Sequence, residues 1–105
     1  MEIKYNANID AESVRKNLHR ILNQTYKLLP NREEGKDWEK PLSTLIEELA
    51  GMDEILINHH DMLFPLLCKM EGLLKLQEQK DFFLYRRTIF ECLELLGDIM
   101  QQCQD

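Results

Sequence analysis

Residues 61–66, with the sequence DMLFPL, decide whether this chain folds as four helices or as three. The same spacing occurs at residues 37–42, DWEKPL, so both stretches have the form D-x-x-x-P-L. An aspartate before a helix accepts hydrogen bonds from the first backbone N–H groups, and a proline in the first turn leaves no N–H unpaired. The repeat therefore favours a helix start at each aspartate. Without a start at Asp61, residues 38–77 would form one helix kinked near Pro65.

Two further aspartates, Asp10 and Asp81, also stand directly before segments in which apolar residues recur every three or four positions. Such spacing predicts amphipathic helices, and a negative charge suits the positive end of the helix dipole. We expect Pro30 to end the first helix, because a proline disfavours helical backbone at the residue before it. The predicted helices cover residues 11–29, 38–57, 62–77 and 82–102.

Residues 1–9 follow a different pattern, because apolar and polar residues alternate there. A period of two is typical of extended backbone, so we predict a short arm in front of the helices. Burial of one apolar face from each helix predicts an all-α fold, a compact up-and-down bundle of four helices in a single domain of residues 1–105. In the last helix the predicted core stripe is Phe82, Tyr85, Ile89, Cys92, Leu93, Leu96 and Met100.

The composition fits a globular helical protein and limits its partners. Hydrophobic residues make up 44% of the 105 residues, and 4 glycines and 3 prolines are too few for a turn-rich β fold. The net charge is −6, and residues 30–81 carry twelve acidic against six basic side chains, which disfavours direct binding to nucleic acids or membranes. The N-terminus lacks a signal-peptide pattern and no apolar run could span a bilayer, so we expect a cytoplasmic protein.

The chain offers no complete set of catalytic or metal-binding residues. The adjacent His59 and His60 point about 100° apart on a helix and have no second ligand at helical spacing. The acidic segment at Glu47 resembles the magnesium cluster of all-helical nucleoside triphosphate pyrophosphatases, but Gly51 replaces its third carboxylate and Leu95 replaces a glutamate of the second cluster. We therefore expect no catalytic, cofactor or metal residue and no enzyme activity. Reduced thiols are expected at Cys68, Cys92 and Cys103.

Three glycines, Gly51, Gly72 and Gly97, lie inside predicted helices. Each costs about 1 kcal/mol relative to alanine in a helix interior. Such a glycine either marks the close approach of another backbone or is simply tolerated, and the sequence leaves both possibilities open.

The only segment with clear loop chemistry precedes the second helix. It combines both charge signs with the single tryptophan of the chain, and tryptophan and arginine are the residue types most enriched at binding hot spots. Two interpretations follow: the segment contacts a partner, or Trp38 fastens the helix start to the core while the charges face solvent. The candidate interaction residues here are Arg32, Glu33, Glu34, Lys36 and Trp38.

The last helix is apolar beyond a single stripe. Phe83 and Phe90 extend its apolar surface on one flank, and Leu84 and Leu95 extend it on the other. A helix that is apolar over so much of its circumference is usually central or covered by a second subunit. Phe83 and Phe90 are therefore further candidate interaction residues. A narrow polar ridge remains, made of Arg87, Glu91, Glu94 and Asp98.

These features support three hypotheses about function. The first is a non-enzymatic protein–protein interaction or assembly module, a small regulator, adaptor or subunit that forms homo-oligomers through its last helix. The second is an acidic inhibitor that presents carboxylates to a partner protein in place of nucleic-acid phosphates. The third is a metal-dependent nucleotide hydrolase with an all-helical fold. The apolar girth of the last helix and the incomplete catalytic sets favour the first.

Overall fold

Four α-helices make up most of the described part of the chain, which is the predicted number. The computed structural model describes residues 11–55 and 60–102, and the side chains of residues 12–52 and 61–102. The all-α class is confirmed: no strand occurs in these ranges, and α2 and α3 are separate helices. The predicted arm and Asp10 lie outside the described residues. The elements are α1 (Ala11–Glu33), α2 (Glu39–Ile55), α3 (His60–Leu73), a 3-10 turn (Gln79–Asp81) and α4 (Phe82–Gln102).

The helices alternate in direction around a closed ring. Helices that follow one another in sequence pack together, and α4 also packs against α1. At one end of the bundle Arg32 near the end of α1 contacts Trp38 and Phe82, which lie at the starts of α2 and α4. At the other end Lys16 of α1 and Met100 of α4 line a common groove. This is the predicted up-and-down arrangement, in a molecule of 43 × 21 × 19 Å.

The core consists of the helix faces that the apolar spacing predicts. In α4 the prediction missed Ile99, which is fully buried, and it included Phe82, Leu93 and Met100, which are only partly buried. The buried apolar side chains are Val14, Leu18, Ile21, Leu28, Leu29, Trp38, Leu42, Leu45, Leu49, Met52, Leu63, Leu66, Met70, Leu73, Tyr85, Ile89, Cys92, Leu96 and Ile99.

The prediction that Pro30 ends α1 is wrong, because the helix continues for one further turn. Its end is set by Gly35, whose φ of 74° lies in the left-handed region. The N–H of Lys36 donates to the carbonyl of Asn31 at 2.7 Å, and the N–H of Gly35 donates to the carbonyl of Arg32 at 3.1 Å. These two bonds form a Schellman motif. The proline removes one backbone hydrogen bond, whereas the glycine cap decides where the helix stops.

The predicted bounds of the third helix, residues 62–77, are also wrong. The observed α3 begins at His60, so Asp61 lies within its first turn and not in front of it. It ends at Leu73, after which the N–H groups of residues 74–76 donate to carbonyls three positions earlier. Apolar residues keep their helical spacing in the sequence beyond Leu73, but the backbone of residues 74–76 forms turns instead of an α-helix.

The other aspartates agree better with their predicted positions. Asp37 accepts hydrogen bonds at its Oδ1 from the N–H groups of Glu39 and Lys40, at 3.1 and 3.3 Å, which confirms it as the N-cap of α2. Asp81 ends the 3-10 turn directly before α4. The observed α4 has the predicted bounds.

Candidate interaction surface

Four side chains at one end of the bundle form a group that we call the Arg32 cluster: Arg32, Trp38, Phe82 and Tyr85. Arg32 lies in the last turn of α1, which exists because the helix continues to the Gly35 cap. Its guanidinium carbon is 4.3 Å from the ring centre of Tyr85, 4.9 Å from that of Trp38 and 5.6 Å from that of Phe82. A cation at such distances is attracted to the face of an aromatic ring.

The same guanidinium holds the connection between α3 and α4. Arg32 donates hydrogen bonds to the carbonyl oxygen of Leu76 and, at 2.9 Å, to that of Glu78. These bonds satisfy two carbonyl groups of the connection, which no helix pairs. They join α1 to a segment more than 40 positions further along the chain.

Trp38 lies inside this cluster and not on the surface. Only 9% of it is exposed, and its ring meets that of Tyr85 edge-on, with 4.9 Å between centres and 69° between planes. This is the position that the second interpretation of the segment predicts, in which the tryptophan fastens the start of α2 to the core. The burial leaves little of the indole for a partner to contact.

The charged neighbours of Trp38 in the sequence take separate positions. Glu33 and Glu34 are exposed, and the carboxylate of Glu34 pairs with the ammonium of Lys36 at 3.1 Å. Glu33 borders a groove beside Arg32 and Phe82. The structure therefore brings Arg32 and Trp38 together as packing residues and leaves the other three candidates of this segment on its rim.

The Tyr85 hydroxyl is a polar atom enclosed by the cluster. It is buried, and it has no hydrogen-bond partner within the described part of the chain. Burial raises the pKa of Tyr85 far above its usual value, and the positive charge of Arg32 only partly opposes this. The Tyr85 hydroxyl therefore stays protonated, and the neutral ring provides an aromatic surface against which Arg32 packs.

The outward surface of α4 carries two exposed aromatic side chains. We define the outer face of α4 by Phe83, Arg86, Arg87, Phe90, Glu91 and Glu94, which line an open groove of about 340 Å³. Phe83 is 76% exposed and Phe90 is 44% exposed. Large apolar side chains grouped on the surface are typical of contact sites, whereas single exposed ones are ordinary.

Most charges of the outer face are arranged around the two phenylalanines. The guanidinium carbon of Arg86 lies 5.3 Å from the ring centre of Phe90, and Glu91 pairs with Lys69 of α3 at 3.6 Å. Arg87 and Glu94 are exposed and form no ion pair with another described residue. The face therefore has two apolar anchors, and Arg86, Arg87 and Glu94 have no ion-pair partner among the described residues.

The apolar flank and the polar ridge that the sequence predicts as separate features lie on one surface of α4. The position of Arg86 was missed, although its spacing of four residues from Phe90 is the signal for such a contact on a helix. On the opposite flank Leu84 is 48% exposed, whereas Leu95 packs partly against the core. The helix is therefore peripheral, with one buried and one exposed side.

None of the three glycines inside helices meets a neighbouring element among the described residues. A Cβ atom added at Gly51, Gly72 or Gly97 would have no atom of another described segment within 4 Å. Close approach by another of the four described helices is therefore not the reason for these glycines. Approach by a second molecule stays a prediction.

The described residues hold no group of three or more His, Cys, Asp or Glu side chains that could bind a metal ion. Glu48, from the segment that resembles a magnesium cluster, pairs with Arg20 at 2.8 Å. His59 and the side chain of His60 lie outside the described residues. Cys68 is exposed, whereas Cys92 is buried, and burial raises the pKa of the Cys92 thiol from 9.0 to about 12.

Comparison with known proteins adds no relative. No family model matches the chain, and neither a curated protein nor a solved structure matches it. Among the described helices, none is long and apolar enough to cross a membrane.

Proposed function

We propose that this protein is a non-enzymatic interaction or assembly module that self-associates through the outer face of α4. The observation that carries the proposal is the exposure of Phe83 and Phe90 on the same face of one helix, whereas the other exposed large apolar side chains, Tyr26, Phe64 and Leu84, lie outside that face. Aromatic residues and arginine are enriched at protein interfaces, and this face presents two of each. A cytoplasmic location and a role as a small regulator, adaptor or subunit fit this proposal.

The structure offers less support for the other two hypotheses. An acidic inhibitor should present an uninterrupted acidic surface, but basic side chains are interspersed with the acidic ones, and Glu34, Glu48 and Glu78 each pair with a lysine or an arginine. A metal-dependent hydrolase needs clustered ligands, and the described residues show none. No observation favours either function over assembly.

The test is the oligomeric state of the full chain, measured by sedimentation velocity over a range of concentrations. We expect the parent protein to associate reversibly and the variant Phe83→Ser/Phe90→Ser to remain a monomer with an unchanged helical circular dichroism spectrum. Tyr26→Ser is the matched control, because Tyr26 is an exposed aromatic residue on α1. A parent protein that stays monomeric at every concentration would overturn the proposal.

A further inference from the structure

We infer that the partner on the outer face of α4 is a second copy of this chain, packed antiparallel about a twofold axis at Phe90. The inference rests on the self-association proposed above and adds its geometry. Its starting point is the order of charges along the helix. Arg86 and Arg87 precede Phe90, whereas Glu91 and Glu94 follow it.

The residues concerned form a continuous stripe. Positions separated alternately by four and three residues lie along one side of a helix, which is the spacing of a helix pair in a coiled coil. On α4 this spacing begins at the exposed Phe83 and ends at a residue without a side chain. The stripe consists of Phe83, Arg87, Phe90, Glu94 and Gly97.

Antiparallel pairing brings opposite charges together. A twofold axis at Phe90 places Arg87 of each copy near Glu94 of the other, so the pair of contacts occurs twice. These are the two charged side chains of the stripe that have no ion-pair partner among the described residues. A parallel arrangement would place Arg87 against Arg87 and Glu94 against Glu94. The charge order therefore selects the antiparallel orientation.

The same axis also matches large with small side chains. Phe83 and Gly97 are both seven residues from Phe90, or about 10.5 Å along the helix axis, so each Phe83 faces Gly97 of the second copy. The space where a Cβ of Gly97 would stand is open, which leaves room for the phenylalanine ring. At the centre the two Phe90 rings meet, and Arg86 lies against the ring of its own chain.

A partner with one predominant charge fits this face less well than a second copy does. An acidic partner would meet Glu94 on one half of the stripe, and a basic partner would meet Arg87 on the other. Juxtaposed like charges disfavour such complexes. A second copy in antiparallel orientation is complementary to both halves at once.

The first test exchanges the charges. In sedimentation experiments we expect Arg87→Glu and Glu94→Arg each to raise the dimer dissociation constant about tenfold, because two ion pairs become two like-charge contacts. The double variant Arg87→Glu/Glu94→Arg should return to the parent value. Lys16→Glu changes the net charge equally on an exposed site of α1 and should leave the constant unchanged.

The second test determines which residues of the two copies face each other. It uses disulfide cross-linking in a Cys68→Ser/Cys103→Ser background. We expect an oxidised mixture of Phe83→Cys and Gly97→Cys chains to form a disulfide between the two different chains, identified by mass spectrometry. A parallel pair would instead link two Phe83→Cys chains. If the parent protein associates through Phe83 and Phe90 but the charge exchange has no effect and like chains cross-link, this inference fails and the proposed function stands. A monomeric parent would overturn both.

Discussion

The protein contains two groups in which an arginine lies against aromatic rings, and they differ in what surrounds them. In the Arg32 cluster the guanidinium contacts three rings and donates to two backbone carbonyls. On the outer face, Arg86 lies against Phe90 alone, and that ring is 44% exposed. The same residue types therefore serve packing in one place and stay available for binding in the other. The Arg32 cluster and the outer face of α4 therefore differ in burial and not in residue type.

Truncating an aromatic residue in each group should give the largest contrast. We expect Trp38→Ala to lower the free energy of unfolding by about 4 kcal/mol, because it leaves a cavity beside Tyr85. Phe83→Ala should change it by less than about 0.5 kcal/mol, since the side chain is 76% exposed. Urea unfolding followed by circular dichroism measures both values, at concentrations where the protein is monomeric. Equal losses in the two variants would contradict the comparison.

Removing each arginine should separate the groups further. Arg32→Ala loses two charge-assisted hydrogen bonds and the contacts with three rings, so we expect a loss of about 3 kcal/mol in the free energy of unfolding. Arg86→Ala loses one exposed ring contact and should cost less than about 1 kcal/mol.

Arg32→Lys serves as the control for charge. An ammonium retains the positive charge but lacks the planar guanidinium group that donates to two acceptors. The free energy of unfolding of Arg32→Lys should therefore be closer to that of Arg32→Ala than to that of the parent. A fully stable Arg32→Lys protein would show that charge alone, and not the geometry of the cluster, holds this end of the bundle.

The smallest expected effect concerns pH and the buried side of α4. Below pH 9 the Cys92 thiol is protonated in both states, whereas between pH 9 and about 12 only the unfolded chain loses the proton. The free energy of unfolding should therefore fall as the pH rises, and Cys92 contributes about 1.4 kcal/mol per pH unit to that slope. Denaturant titrations from pH 8 to 10.5 measure it.

Two variants isolate this contribution. Cys92→Ala should show a shallower decline above pH 9 than the parent, because it has no thiol to titrate, although its stability at pH 8 is lower. Cys68→Ala removes an exposed thiol and should leave the slope as it is. Parallel curves for the parent and Cys92→Ala would contradict the buried, neutral state of this thiol.

Much of the fold could be predicted because it depends on local signals. Apolar spacing and the Asp37 cap identify helices without reference to the rest of the chain, and α4 was predicted with its observed bounds. The end of α3 was predicted wrongly, because the apolar spacing continues past Leu73 whereas the backbone there turns and contacts Arg32, a residue of another helix. The end of α1 was missed for a local reason, because the Gly35 cap outweighs the disfavoured backbone before Pro30.

The candidate site was only partly predictable for a related reason. The sequence favours the Trp38 segment first as a contact site, because it combines charges with the single tryptophan, and it adds Phe83 because the last helix is apolar beyond a single stripe. Whether Trp38 and Phe83 are exposed depends on which side of the first turn of each helix packs against the bundle. This orientation is known only once the helices are packed. The exposed position of Phe83 supports its role as a contact residue, and the interface itself stays a prediction.

The hydrogen bonds from Arg32 also affect how the chain unfolds. Because the backbone after α3 is held by a side chain of α1, that segment opens only when Arg32 releases both carbonyl groups. The opening of the connection between α3 and α4 is therefore coupled to α1, a distant part of the chain. A single side chain thus makes the local stability of this connection depend on a second helix.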